Sequence, residues 1–169
     1  HYLQKFLPSV LQSTYPNVDI IVGDNASTDD SVLFLKTNFP QIRIIENDQN
    51  YGFADGYNHV LNEVNADYYV LLNSDVEVSA GWIEPVIKLM ESDSRIAAAQ
   101  PKILSCRDKN EFEYAGAAGG FLDRYGYAFC RGRIFDALEK DQGQYNHASE
   151  VFWASGAAFF IKKAIWDLS

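Results

Sequence analysis

The chain has 169 residues and carries 14 Lys+Arg against 23 Asp+Glu, a formal net charge of −9. That length builds one core, and a composition of 47% hydrophobic and 22% charged residues is that of a folded globular chain, not a disordered one. The acidic balance excludes a protein that wraps nucleic acid through its phosphates, and it excludes a polybasic membrane anchor, because both need clustered Lys and Arg.

The longest apolar run, 151–161, is shorter than the roughly 20 residues that cross a bilayer, so no transmembrane segment is expected. Two cysteines, Cys106 and Cys130, make neither a disulfide framework nor a zinc site and read as reduced thiols. The chain opens at His1 directly in a helical pattern, without a charged leader or cleavage site, and stops at Ser169 just after another helix-like start. Both ends are expected to be cuts through a longer protein, leaving one domain fragment over 1–169, divided into 1–104 and 105–169.

Leu3, Phe6, Leu7, Val10 and Leu11 follow helical spacing and predict a first helix. Tyr15-Pro16-Asn17 breaks it, and the β-branched run 18–22 predicts a buried strand. A polar loop, 23–30, rich in N-cap residues, leads into a short helix marked by Val32, Leu35 and Phe39. Residues 42–45 read as a second strand and 47–52 as a polar loop. Phe53, Tyr57, Val60, Leu61 and Val64 give the cleanest helical period in the chain. A third strand is predicted over 68–72, a helix from Ile83, Val86, Ile87 and Met90, and a fourth strand over 96–100. Such alternation with short connections implies an α/β fold, a mostly parallel sheet with helices on both faces.

From 105 to 149 the period is lost. Gly116, Gly119, Gly120, Tyr125, Gly126, Tyr127 and Phe129 mix with charges, which reads as an irregular insertion or a small antiparallel excursion, its aromatic stretch 121–129 serving packing. The apolar run then resumes at 151–161, and 164–168 looks like a new helix start. His59 falls beside the apolar stripe of its helix and reads as a surface residue.

In open α/β sheets, ligands bind at the carboxyl ends of the strands. Asp24 and Asp75 both follow apolar strands directly and are expected to point into one crevice. Asp24 suits a hydrogen bond from a base N–H or a ribose hydroxyl. Asn73-Ser74-Asp75 can supply one carboxylate and one amide oxygen to magnesium, which needs only one or two protein carboxylates when phosphates and water complete its shell. Each acid taken alone is equally readable as a turn former or helix cap. Asn50, Gly52 and Asn58 are weaker candidates, Gly52 also being readable as a flexible residue before a helix. No GxGxxG, P-loop or GxSxG signature is present.

These segments resemble family 2 glycosyltransferases. Asp19-Ile20-Ile21-Val22-Gly23-Asp24-Asn25-Ala26-Ser27-Thr28-Asp29 is similar to the strand and loop after the family's first helix. Asn50-Tyr51-Gly52-Phe53-Ala54-Asp55-Gly56-Tyr57-Asn58 resembles its next loop-helix signature, and Leu71-Leu72-Asn73-Ser74-Asp75-Val76-Glu77 its metal-binding segment. Phe152-Trp153-Ala154-Ser155-Gly156-Ala157-Ala158-Phe159-Phe160-Ile161 resembles its late strand. The bacterial rhamnosyltransferase-like branch looks most similar. The resemblance implies a GT-A fold, a nucleotide-sugar donor, a divalent cation (manganese or magnesium), and a glycan or lipid-linked glycan acceptor in bacterial cell-surface polysaccharide or glycolipid synthesis. It implies a cytoplasmic protein peripheral to the inner face of the membrane. By position it assigns the donor to Asp24, Asn25, Ser27, Asn50, Gly52, Asn58, Asn73, Ser74 and Asp75, and the cation to Asp75 and Asn73, the latter standing where the family more often has Asp. It places the first strand before His1 and the catalytic base, an acid, beyond Ser169, so the fragment itself is expected to be inactive. Nucleotidyl transfer on a similar sheet and a non-catalytic nucleotide-sugar-binding module are the rival readings.

Overall fold

A computed structural model describes residues 2–113 and 117–168; Gly116 of the irregular region lies outside them. The first half alternates as the periodicity predicts: helix α1 (Tyr2–Leu11), strand β1 (Ile21–Asp24), α2 (Ser31–Asn38), β2 (Arg43–Glu46), α3 (Gly52–Leu61), β3 (Tyr68–Leu72), α4 (Ile83–Ser92) and β4 (Ala98–Ala99). β1 and β2 pair in parallel, Ile21 opposite Arg43 through Asp24 opposite Glu46. The first strand starts three residues later than the β-branched run suggests, because Val18 is exposed and outside the ladder.

A second sheet has the order β3-β9-β4, where β9 is Ala158–Lys162. β9 runs antiparallel to both neighbours, so β3 and β4 point the same way and the reversed strand lies between them. The sequence gives no sign of this reversal, since strand direction leaves no mark on an apolar run. Among the described residues no backbone pairing links this sheet to β1 and β2.

Side-chain alternation sends the two faces of the second sheet into different cores. Phe160, fully buried, joins Ile83, Val86, Ile87 and Met90 of α4, with Tyr68 and Val70 packed beside them. Tyr69, Leu71 and Ile161 face the other way, against Tyr57 and Leu61 of α3, Val64, and Trp166 of the short α5 (Lys163–Trp166). Helices thus cover both faces, as the α/β reading requires. A third core joins α1 and α2 over the first sheet, through Leu7, Leu35 and Ile42 with Val22 and Ile44. The end of α1 also reaches α4: the Trp82 Nε1–H donates to Ser13 Oγ at 2.9 Å, and Thr14 Oγ1 donates to Glu84 at 2.7 Å.

The irregular stretch contains an antiparallel four-stranded sheet, β5 (Gly120–Leu122), β6 (Ala128–Cys130), β7 (Arg133–Ile134) and β8 (Ala137–Leu138). Its two junctions with the main body meet at Gln100, whose Oε1 accepts the Ser155 N–H at 2.6 Å while Nε2 donates to the carbonyl of Pro101 at 3.3 Å. Both cysteines are free.

Truncating Phe160 to Ala leaves a cavity between α4 and the sheet and should cost about 3–5 kcal/mol, measurable by denaturant unfolding. Lys102 donates to Asp141 at 2.5 Å, and this hydrogen bond holds the Asp141 carboxyl below its usual range. A depressed native pKa stabilises above the unfolded value and is lost as pH falls through the native one. The stability gap between wild type and Lys102→Ala, present at neutral pH, should therefore close in acid; a gap that persists there would separate the pair from this effect.

Candidate active site

The carboxyl ends of β1 and β3 open onto a common cleft of about 370 Å³, lined by Asp24, Ser27, Asp29 and Ser31, by Tyr2 and Leu3 of α1, and by Ser74. Asp24 is only 8% exposed. Its Oδ2 accepts the backbone N–H of Ser27 at 3.1 Å, and its carbonyl accepts that of Asn47 at 2.8 Å. Asp24 is therefore a turn former and a cleft residue at once: one carboxylate has about four acceptor sites, and the Ser27 bond uses one of them. Asp29 and Ser31 also line the cleft, although the sequence reading singled out neither. The Asp29 carboxyl is held below its ordinary value by hydrogen bonds from Ser31, side chain first and then backbone.

β3 ends in the turn Asn73-Ser74-Asp75. The Asn73 N–H donates to the Ala157 carbonyl at 3.0 Å and its own carbonyl accepts from Val76. Ser74 and Asp75 are exposed, and the Asp75 carboxylate takes no hydrogen bond or ion pair from any other described residue. Glu77, two residues on, is engaged by Lys109 at 3.0 Å. Among the described residues no three His, Cys, Asp or Glu side chains cluster as a ready metal cage. The donor set that is present, one carboxylate that no described residue engages with an amide oxygen two residues away, is all hard oxygen. It suits magnesium or manganese held jointly with phosphate and water, and not a cation caged by protein alone.

Asn25 has a different part. Its Nδ2 donates to Asn50 Oδ1 and to the Gly52 carbonyl, both at 2.9 Å. Its Oδ1 accepts from Asn47 Nδ2 at 3.0 Å and from the Tyr51 N–H at 3.2 Å. Two donors and two lone pairs are the whole capacity of a side-chain amide, so Asn25 is saturated inside the protein. Asn50 Oδ1 also accepts the Gly52 N–H at 2.8 Å, and Gly52 adopts φ +77°, which glycine alone takes without strain. Asn47 was not foreseen: a single Asn in a polar loop carries no signal of what it will reach. Beside this knot Tyr51 stacks on the exposed His59 at 3.8 Å between ring centroids.

Asp24, Ser27 and Ser74 thus share the cleft. Asn73 and Asp75 flank Ser74 in the adjoining turn. Asn25, Asn50 and Gly52 form the knot that joins the loops after β1 and β2. Asn58 stands on the exposed side of α3 and does not line the cleft.

The sequence and the fold both have counterparts among known proteins. The family described as glycosyl transferase family 2 matches residues 1–167. An uncharacterized glycosyltransferase of Haemophilus influenzae is 29% identical over 57% of this chain and 31% of its own length. The N-acetylglucosaminyl-diphospho-decaprenol L-rhamnosyltransferase of Mycobacterium tuberculosis is 24% identical over 96% of this chain and 58% of its own. The chain therefore spans about a third to somewhat over half of these relatives. Among solved structures, S. aureus TarS 1–349 superposes with a TM-score of 0.54 at 14% identity, covering 68% of this chain and 36% of that one, and its complex with UDP with a TM-score of 0.53. That likeness shows the fold, which is of the GT-A type. With the family match running from the first described helix through α5, the chain belongs to glycosyl transferase family 2.

Proposed function

We propose that the intact protein transfers a sugar from a nucleoside diphosphate donor to a hydroxyl acceptor with inversion at the anomeric carbon. The observation that supports this most directly is the cleft shared by buried Asp24 and by Ser74, with the carboxylate of Asp75, engaged by no other described residue, in the next position. Asp24 accepts a hydrogen bond from the nucleoside through the acceptor sites that Ser27 leaves open. The Ser27 and Ser31 hydroxyls add polar contacts along the same wall. Asp75, with the Asn73 amide oxygen, would hold a divalent cation. A cation held by these residues would supply positive charge to offset that growing on the leaving diphosphate. A base takes the proton of the acceptor hydroxyl as its oxygen attacks, and we read that base as an acidic side chain of the intact protein.

A glycan or lipid-linked glycan of the bacterial surface is the proposed acceptor class; the mycobacterial relative's name includes a diphospho-decaprenol. Among the described residues no helix is long and apolar enough to cross a membrane, which fits a protein working peripherally at the inner face.

In the intact protein, Asp75→Ala should reduce metal-dependent transfer by about 100-fold with thermal unfolding unchanged. Calorimetry of UDP with manganese and with chelator checks the same point, and equal affinity in both would remove the metal role. Free nucleoside diphosphate as product, in place of pyrophosphate, separates sugar transfer from nucleotidyl transfer. Asn25→Ala strips partners from Asn47, Asn50 and the Tyr51 amide and should cost about 1 kcal/mol. Hydrogen exchange at Tyr51 should accelerate while the amides of β3 keep their protection.

A further inference from the structure

Phe53, the second residue of α3, is 58% exposed yet in contact with two neighbours. The Tyr57 ring meets it edge-on at 5.1 Å between centroids and 72° between planes. The ring also lies against Gly156: a Cβ built there would fall 2.8 Å from Phe53 Cζ and 3.1 Å from Cε1. Any side chain at 156 would push the ring away.

The position of this ring is what gives it meaning, because single exposed aromatics are ordinary. Gly156 precedes Ala157, whose carbonyl accepts the Asn73 N–H. Tyr57, largely buried, directs its hydroxyl toward the Leu72 carbonyl at 3.5 Å. Phe53 is thereby fixed to both strands that frame the Asn73–Asp75 turn. The Asp24 cleft reaches that turn through Ser74 and contains neither Phe53 nor Gly156. A donor with its nucleoside in the cleft and its diphosphate at Asn73 and Asp75 carries its sugar beyond the diphosphate, and Phe53 lies against Gly156, the neighbour of the Ala157 that pairs with Asn73. A pyranose has C–H groups on its faces and hydroxyls on its edges, and an aromatic face receives the former well.

We propose that Phe53 forms the apolar wall against which the donor's sugar ring rests, with Gly156 setting the place of that wall. This assignment rests on the donor-binding reading above and names the part of the site that reads the sugar.

The test uses the intact protein, manganese, and calorimetric titration of UDP and dTDP against UDP-glucose, UDP-N-acetylglucosamine and dTDP-glucose, taking the conjugate that the wild type binds most tightly. Phe53→Ala should weaken that conjugate about tenfold while its parent diphosphate stays within about twofold, the difference that a lost ring contact makes. Phe53→Tyr should restore it. Gly156→Val, which keeps Phe53 but displaces its ring, should reproduce the loss. Phe53→Ala with an unchanged ratio of conjugate to diphosphate affinity would overturn the assignment, as would an equal loss for both. A wild type that binds none of the diphosphates would overturn the donor-binding reading itself, a result distinct from either.

Discussion

The ladder between β3 and β9 is the constraint on which the rest of the molecule depends. Five residue pairs, from Tyr68 opposite Lys162 to Leu72 opposite Ala158, hold two strands whose side chains alternate into separate cores. Phe160 anchors one core under α4, and Tyr69, Leu71 and Ile161 anchor the other against α3 and α5. The ladder does not stop at the last pair. Its next hydrogen bond, from Asn73 to Ala157, already belongs to the site. The turn that carries Asp75 is thus an extension of the most deeply buried part of the protein, and a carboxylate can stand exposed there without the backbone beneath it being loose. Precise placement of charged groups comes at least cost where rigid elements supply it.

The other half of the site is built on polar contacts. Asn25 binds the loop after β1 to the loop that opens α3 with four hydrogen bonds from one amide. An apolar residue there would leave the Tyr51 N–H without its partner and take one hydrogen bond each from the Asn47 amide and the Gly52 carbonyl. The two halves divide the labour: hydrophobic burial fixes β3 and β9, and a saturated amide fixes the loops that approach them.

Much of this was legible in the sequence, and the illegible parts share a cause. The helical periods of 3–11, 53–64 and 83–90 marked their helices because burial on one face imposes spacing. Strand ends were displaced by a few residues, as at Val18, because a β-branched residue is readable without regard to whether a neighbour pairs with it. The 96–100 strand shrank to Ala98–Ala99. The reversal of β9 and the reach of Asn47 depend on which segments meet in space, and a single sequence does not encode that locally. Phe53 counted toward an apolar stripe by spacing alone, yet it stands 58% exposed, in the helix's first turn. Asp24 and Asp75 drew notice in the sequence because ligands of α/β sheets bind where strands end, and each stands at or just past such an end.

The contact between Gln100 and Ser155 has a consequence for variation between relatives. It cinches residues 101–154 at their base, so the excursion leaves and rejoins the body at nearly one place. A stretch tied off in this way can lengthen, shorten or be exchanged wholesale while the neck stays closed, because loop length adds only slowly to the entropy of joining fixed ends. Lineages can accordingly remodel this excursion as a cassette while β3, β9 and their helices continue unaltered.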